Sequence, residues 1–272
     1  MKLRGSSGGA LLVLLGLTLL AGCAFGAAGP SSVPPSPSAG TSAAPEPSGT
    51  PPDPSATAVA ARLPLPDCRY DDVPVEGDPA TDWPTLVVDT IVRLPKRYVP
   101  DDLVGTARAG LNSGFKVSRV MLDDLEAMAD AARQAGAALA VQSAYRSYQY
   151  QVSTFAGWVA RSSEAEARTV SARPGHSEHQ LGTALDLRSA NDATPPWELD
   201  DFAATKAGGW LREHAWEYGF VMSYPKGAAD ESCYAYEPWH YRYVGRDVAA
   251  AIHESGQTPR RYLWETYGPV DR

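Results

Sequence analysis

The sequence has few cysteines, few histidines and no excess of basic side chains. Its 272 residues include three cysteines and five histidines, and the formal net charge is −8 at pH 7. This acidic balance argues against a nucleic-acid partner, because such partners select basic surfaces. No two cysteines have the CxxC spacing of a zinc finger, so cysteine is not expected to hold a metal.

The sequence also lacks an apolar run long enough to span a bilayer. Residues 11–20 are apolar, but a membrane-spanning helix needs ~20 such residues. The run follows a basic amino terminus and precedes Leu20-Ala21-Gly22-Cys23, an order typical of a signal peptide with a bacterial lipobox. We therefore expect residues 1–22 to be a lipoprotein signal peptide, Cys23 to be lipidated, and the protein to be exported and anchored in the cell membrane. The alternatives are a plain signal peptide with an incidental cysteine, or a short anchor.

Composition then divides the chain into a linker and a domain. Residues 23–66 consist mainly of Pro, Ser, Ala, Gly and Thr, which bury too little apolar surface to fold, so this segment is predicted to be a disordered linker. Residues 67–272 have a globular composition with no second linker and are predicted to form one domain. Cys68 and Cys233 lie in this domain, and an even pair in an exported protein favours a disulfide.

The domain mixes strands and helices without regular βαβ alternation, which favours the α+β class over a doubly wound sheet. Strands are predicted at residues 86–94, 137–141 and 220–222, with another within 236–244. Helices are predicted at residues 148–160, 163–171, 202–218, 248–254 and 262–267. A further helix is expected to open at Ser118 as its N-cap and to end before Gly136.

Residues 173–187, RPGHSEHQLGTALDL, are polar at first and then become apolar around one acid, Asp186. A carboxylate among apolar neighbours needs a cation, a metal or several hydrogen-bond donors. His179 lies seven residues upstream and could share a metal with Asp186. His176 could replace His179 as the ligand, although we expect it to line or support the site.

A third ligand is available in residues 236–243, YEPWHYRY, where His240 follows Glu237 by three residues. Two histidines and one carboxylate are a common protein set for catalytic zinc and leave a position for water. Glu237 is placed to act as the base that takes the proton from that water. The same set is also the facial triad of non-haem Fe(II) oxygenases, which stays as an alternative from a different class.

The segments SAYRSYQYQ, RPGHSEHQLGTALDL and residues 233–245 closely resemble VanY-type D-alanyl-D-alanine carboxypeptidases, which are zinc DD- and LD-peptidases of the Hedgehog/DD-peptidase fold. The resemblance implies one α+β domain with a small antiparallel sheet packed by helices. It implies a zinc enzyme that removes the terminal D-alanine from peptidoglycan stem peptides on the cell-wall side of the membrane. It also assigns His179, Asp186 and His240 to Zn²⁺ and Glu237 to the catalytic base.

The same resemblance implies which residues contact substrate. Arg146 would bind either the terminal carboxylate or the developing oxyanion, and it is counted with Glu237 as catalytic. Ser177 and Gln151 match positions that contact the terminal D-residue, and Tyr145 is expected beside them. Ser223 departs from the family pattern, since an arginine is common there, which leaves part of the pocket wall open.

Several related functions remain open from the sequence. The enzyme could have L,D- rather than D,D-specificity, or it could be a peptidoglycan endopeptidase. A non-catalytic cell-wall binding module on the same fold would have no need of Glu237 or Arg146. The expected partners are peptidoglycan stem peptides and, through the lipid, the membrane, and the protein is expected to be a monomer.

Overall fold

The computed structural model describes residues 63–268, which belong to one compact unit. The predicted signal peptide, Cys23 and nearly all of the predicted linker lie outside the described residues. No helix within residues 63–268 has the length and apolar character needed to cross a membrane.

The first half of the domain contains two small pairs of strands. These are β1 (Val73–Pro74) with β2 (Val92–Arg93), which are parallel, and β3 (Leu103–Gly105) with β4 (Lys116–Ser118), which are antiparallel. The strand predicted at residues 86–94 is therefore wrong except at its end. The reason is Asp89, whose carboxylate accepts hydrogen bonds from the backbone N–H groups of Ile91 (2.8 Å) and Val92 (2.7 Å) and turns the chain there.

Seven α-helices lie within residues 63–268. They are α1 (Leu122–Gln134), α2 (Tyr148–Arg161), α3 (Glu164–Val170), α4 (Lys206–His214), α5 (Ala229–Ser232), α6 (Arg246–Ser255) and α7 (Pro259–Tyr267). Short 3₁₀ helices supplement them at Thr106–Ala109, Arg119–Met121, Glu178–Leu181, Pro196–Glu198, Phe202–Ala204 and Ala215–Tyr218.

Two helix predictions need correction at their amino-terminal ends. Ser118 does not cap α1; its hydroxyl donates to Asp102 (2.7 Å), and a 3₁₀ turn separates it from the helix. The helix predicted at residues 202–218 is divided, because the Thr205 hydroxyl accepts from the backbone N–H of Gly208 (3.0 Å) and starts α4 there. The apolar period is continuous across this division, so periodicity alone did not indicate it.

The central sheet contains four strands, all antiparallel, in the order β5-β6-β8-β7. Their bounds are β5 Leu139–Ser143, β6 Ala184–Ser189, β7 Phe220–Met222 and β8 His240–Tyr243. The prediction of an α+β domain with a small antiparallel sheet packed by helices is confirmed.

The two faces of this sheet have different chemistry. Successive side chains of a strand point to opposite faces. Leu185 of β6 and Tyr241 of β8 lie on the face that joins the main hydrophobic core, together with apolar side chains of α1 and α4. The residues next to them, Asp186 and His240, therefore point to the other face, and the register pairs them directly. Strand alternation thus places two of the predicted metal ligands side by side.

The predicted disulfide between Cys68 and Cys233 is confirmed. It joins positions 165 residues apart in the sequence. Cys233 immediately follows α5 and precedes Glu237 by four residues. The bond therefore ties the start of the domain to the segment that carries the predicted base. A disulfide that closes so long a loop stabilises the fold mainly by restricting the conformations of the unfolded chain.

Candidate metal and active site

Three buried side chains meet on the polar face of the sheet. His179, Asp186 and His240 each offer a ligand atom, and these atoms lie within 4.8 Å of one another. Asp186 is the central member, with Oδ2 at 3.3 Å from Nε2 of His179 and Oδ1 at 3.1 Å from Nδ1 of His240. The structure thus brings together the three residues that the sequence predicts as metal ligands.

His179 reaches this cluster from a turn that strongly favours glycine at its end. It belongs to the 3₁₀ helix Glu178–Leu181, which ends at Gly182 with φ at 77°. A Cβ at Gly182 would lie 3.0 Å from Cγ of Pro100, in addition to the unfavourable positive φ. The turn sends the chain directly into β6, so the ligand on the helix and the ligand on the strand face each other.

The donor atoms fit a divalent metal. Nδ1 of His179 lies 2.7 Å from the carbonyl oxygen of Ala144, so this nitrogen donates its proton there. Nε2 is then the lone-pair nitrogen, and although it is buried it has no hydrogen-bond partner within the described residues. A histidine with one nitrogen committed to a carbonyl and the other unpartnered beside a carboxylate is the usual arrangement of a metal ligand.

The surroundings of the three clustered side chains shift their pKa values strongly. Burial lowers the pKa of His179 to about 4, and the nearby charge of Arg146 acts in the same direction. Burial alone would raise the pKa of Asp186, but His179 and His240 outweigh it and hold that pKa well below its usual range. Burial opposes the charge on His240 too, yet hydrogen bonds to Asp186 and Glu178 raise its pKa to about 10. A metal would therefore replace a proton at His240.

Glu237 lies at the edge of the cluster. Its Oε2 is 3.9 Å from Nδ1 of His240, and its side chain is 16% exposed. Its backbone N–H donates to the carbonyl of Tyr224 (3.1 Å) and its carbonyl accepts from the N–H of His240 (3.1 Å), which fixes the turn before β8. Burial raises the pKa of Glu237 to about 7. This carboxyl group is consequently suited to both accept and release a proton near neutral pH.

Arg146 lies next to the cluster and belongs to the loop between β5 and α2. Its Nη1 lies 3.9 Å from Oδ2 of Asp186, and its Nε is buried without a hydrogen-bond partner among residues 63–268. Its backbone N–H donates to the carbonyl of His179 (3.2 Å), which links the two segments. The side chain is 21% exposed, so a guanidinium with unused donors borders the cluster on the solvent side.

The predicted substrate contacts are less directly tied to the cluster. Ser177 is buried at the amino-terminal end of the 3₁₀ helix and its hydroxyl does not cap that helix. Gln151 is buried on α2; its amide donates to the carbonyl of Ala172 (2.7 Å), and its Oε1 has no hydrogen-bond partner in the described part of the chain. Tyr145 is half-buried beside Arg146, and burial raises its pKa. Their roles as substrate contacts stay predictions.

Sequence reasoning missed a second layer of residues behind His240. Glu178 is buried, and its carboxylate lies 2.9 Å from Nε2 of His240. Arg242, which is fully buried, and Ser223 both donate to the same carboxylate. One signal was available: Arg242 follows His240 by two residues in a strand, so both point to the same face, and a buried arginine requires a carboxylate.

His176 lies outside the cluster. Its ring is 1% exposed, with Nδ1 at 2.7 Å from the carbonyl oxygen of Asp89 and Nε2 at 3.0 Å from Oδ1 of Asp72. Asp89 is the residue that turns the chain after residue 88. His176 therefore fastens this turn to the segment that leads to His179 and is not one of the three clustered ligands.

His176 should make stability depend on pH. Burial lowers its pKa below the ordinary 6.5, against the opposing effect of the hydrogen bond that the ring donates to Asp72. The unfolded chain then takes up a proton before the folded one as pH falls, so stability is lost below about pH 6.5. In metal-free protein with a chelator, we expect His176→Gln to reduce the fall in melting temperature between pH 7.5 and 5.5. The matched control is the exposed His253→Gln; an equal fall in all three proteins would contradict the expectation.

Comparison with known proteins relates the sequence and the fold of this chain to a protein family. The family model VanY, D-alanyl-D-alanine carboxypeptidase, matches residues 114–246, which include the three clustered ligands, Arg146 and Glu237. The solved structure of the LdcB LD-carboxypeptidase is 36% identical, with a TM-score of 0.57, and the match covers 68% of this chain and 85% of LdcB. The chain belongs to the VanY family. The resemblance read from the motifs is confirmed.

Two further proteins are similar to this chain. A mutant of the vancomycin resistance D,D-pentapeptidase VanY, solved in complex with Zn(II), is 30% identical with a TM-score of 0.57; the match covers 66% of this chain and 99% of VanY. YodJ of Bacillus subtilis (strain 168) is 37% identical over 178 residues, which are 62% of this chain and 63% of YodJ. The chain thus spans somewhat less than two thirds of YodJ.

Proposed function

We propose that this protein is a zinc-dependent carboxypeptidase that removes the terminal D-alanine from peptidoglycan stem peptides. The observation that carries the proposal is the buried cluster of His179, Asp186 and His240, bordered by the guanidinium of Arg146 and the carboxylate of Glu237. Membership of the VanY family supports it, and each residue type has a distinct part in such a reaction.

The three clustered side chains would hold the metal. Two imidazole nitrogens and one carboxylate oxygen match the protein ligands of catalytic zinc sites and leave a position open. Zn²⁺ in such a site supplies Lewis acidity, which lowers the pKa of water and polarises a carbonyl group. Nε2 of His179, which has no hydrogen-bond partner among residues 63–268, and the Zn(II) in the VanY relative support zinc as the ion.

Glu237 would act as the general base and then as the general acid. Hydrolysis of a peptide bond requires that the attacking water lose a proton and that the departing amine gain one. A single carboxyl group performs both steps if it takes the proton from water and then delivers it to the amine of the released D-alanine. The position of Glu237 beside the cluster, at 3.9 Å from His240, supports this role.

Arg146 would recognise the charge of the substrate. A carboxypeptidase must distinguish a free terminal carboxylate from an internal peptide, and the planar donor fork of arginine matches a carboxylate. The same donors would also stabilise an oxyanion that develops on the carbonyl oxygen. The partly exposed guanidinium beside the cluster supports both roles. A substrate without a free terminal carboxylate would distinguish them.

Incubation with muropeptides tests the function directly. We expect the zinc-loaded full chain to release D-alanine from stems that end in D-Ala-D-Ala, or from tetrapeptide stems if it has L,D-specificity, with products identified by mass. Chelation should reduce activity to background, and stoichiometric zinc should restore it, because water activation depends on the metal. Inertness towards both stems would contradict the proposal. Internal cleavage would identify an endopeptidase, and binding without cleavage a cell-wall module.

A further inference from the structure

We infer that Glu178 is a positioning residue that determines which ring nitrogen of His240 faces the metal. This inference rests on the metal site of the proposed function and concerns how this chain prepares that site. Glu178 precedes the ligand His179 in the sequence, yet it serves the ligand on the other side of the cluster.

The carboxylate of Glu178 is surrounded by three donors. Its Oε2 lies 2.9 Å from Nε2 of His240 and accepts from the hydroxyl of Ser223 at 2.6 Å. Its Oε1 accepts from Nη1 of Arg242 at 3.1 Å. The side chain is buried, with 8% exposure, so these contacts are not shared with solvent. Both oxygens are occupied, which leaves the carboxylate one orientation.

This orientation selects the tautomer of His240. A neutral imidazole has one donor nitrogen and one acceptor nitrogen. Both ring nitrogens of His240 face a carboxylate, Nε2 facing Glu178 at 2.9 Å and Nδ1 facing Asp186 at 3.1 Å. Because Asp186 belongs to the cluster and Glu178 does not, a metal held by the cluster would take the lone pair of Nδ1, while Nε2 would keep its proton and donate it to Glu178. His179 has the reverse arrangement, with Nδ1 directed at the carbonyl of Ala144 and Nε2 directed at Asp186. The two imidazoles thus present different nitrogens to one point.

Arg242 holds Glu178 from behind. The arginine is 1% exposed, and its Nη2 donates to the carbonyl oxygens of Trp83 (2.9 Å) and Leu86 (2.7 Å). A buried carboxylate that faced His240 alone would lose much of its hydration without compensation. Arg242 supplies this compensation and fixes the carboxylate to a backbone segment, so the chain Leu86–Arg242–Glu178–His240 positions the imidazole from outside the cluster.

A purely structural ion pair between Glu178 and Arg242 is the competing explanation. Such a pair would affect stability but would not affect how tightly the site binds a metal, or through which nitrogen. Metal affinity and the bonding of the His240 ring are therefore the deciding measurements, and neither requires hydrolysis.

The first experiment measures zinc affinity by competition with a chromophoric chelator at pH 7.5. We expect Glu178→Gln to weaken binding about 10- to 100-fold, since partners behind metal-bound histidines have effects of this size. Glu213→Gln removes an exposed acid that pairs with Arg212 and should bind zinc as the wild type does. Wild-type affinity in folded Glu178→Gln would overturn the inference.

A second variant covers the case in which Glu178→Gln does not fold. Glu178→Gln leaves the charge of Arg242 buried without a carboxylate partner, whereas Glu178→Gln/Arg242→Met removes both charges. We expect this double variant to recover its melting temperature in the presence of a chelator and still to bind zinc about 10- to 100-fold more weakly. Recovery of affinity together with stability would mean that Glu178 serves only the ion pair, and would overturn the inference.

A spectroscopic measurement on the unaltered protein is independent of all variants. In ¹⁵N-histidine-labelled, zinc-loaded protein, the ring nitrogens of His240 should show Nδ1 bound to metal and Nε2 protonated, and His179 should show the opposite. Coordination of His240 through Nε2 would overturn the inference. Zinc binding without hydrolysis would contradict the proposed carboxypeptidase alone, whereas a wild type that binds no zinc would contradict both.

Discussion

Glu237→Gln is expected to lower kcat by about 10²- to 10⁴-fold while zinc content stays unchanged. Positioned general acid–base groups contribute effects of this size. Glutamine has nearly the same shape as glutamate but cannot take a proton from water, so the variant isolates the proton transfer. The carboxylate lies at 3.9 Å from His240, close enough to serve the site without being one of the three clustered ligands. The measurement is D-alanine release at saturating substrate, with zinc determined on the same samples.

Two observations make this result specific to Glu237. Glu164→Gln removes an exposed carboxylate that pairs with Arg168 on α3, and it should leave kcat and zinc content unchanged. Melting temperatures of both variants check that the fold is intact. Activity in Glu237→Gln within a factor of a few of the wild type would show that another group moves the proton. Loss of zinc along with activity would make Glu237 a ligand instead.

The sheet half of the site follows from local sequence rules. One acid flanked by apolar residues in the segment TALDL predicts a strand that holds Asp186 against apolar neighbours. Residues 236–243 predict a second extended segment that carries His240. The structure pairs these two residues directly in the register of β6 and β8. Each strand was predictable from its own segment, and the need for a third ligand predicted that the two segments meet in one site, but their direct pairing in the sheet was not predicted.

The second layer was not predictable in the same way. Glu178 lies in a 3₁₀ helix of four residues, and so short a helix has no apolar period that shows where a side chain points. Its partners Ser223 and Arg242 come from two other segments of the chain. Arg242 had a local signal, its position two residues after His240 in a strand, but the contacts of Glu178 and Ser223 depend on tertiary packing and have no local pattern. Ser223 was noted as a departure from the family pattern, and the structure shows that it supplies a hydrogen bond to Glu178 at that position.

Backbone turns caused the main errors in secondary structure. Residues 86–94 have the apolar, β-branched composition of a strand, but Asp89 bonds to two backbone N–H groups and converts most of the segment into a turn. The residues before this turn contribute to the site, because the carbonyl oxygens of Trp83 and Leu86 accept hydrogen bonds from Arg242. An acid within an apolar run therefore indicated two different structures in this chain, a turn at Asp89 and a buried carboxylate of the candidate metal site at Asp186.

Arg146→Ala is expected to lower kcat/KM by about 10²- to 10³-fold, comparable with the removal of one oxyanion donor. Its guanidinium borders the cluster at 3.9 Å from Asp186 and is partly exposed, and its Nε has no hydrogen-bond partner within residues 63–268, so the side chain retains donors for an anionic ligand. Arg146→Lys keeps the charge but loses the planar fork, and it should recover only part of the activity. Zinc content must be measured, because removing a cation beside Asp186 also affects the metal site. Unchanged kcat/KM in zinc-loaded Arg146→Ala would contradict the role.

An amidated substrate separates the two tasks open to Arg146. If the guanidinium binds the terminal carboxylate, wild-type enzyme should lose activity on a stem peptide with a terminal amide, and Arg146→Ala should lose little more on that substrate. If it stabilises the oxyanion, Arg146→Ala should lose the same factor on both substrates, mainly in kcat, because that interaction exists only in the transition state. The four rate constants form a cycle whose coupling term is large in the first case and near zero in the second. We expect the larger coupling, because the side chain of Arg146 is 21% exposed, against 6% for Asp186, and is therefore open to a substrate carboxylate from solvent.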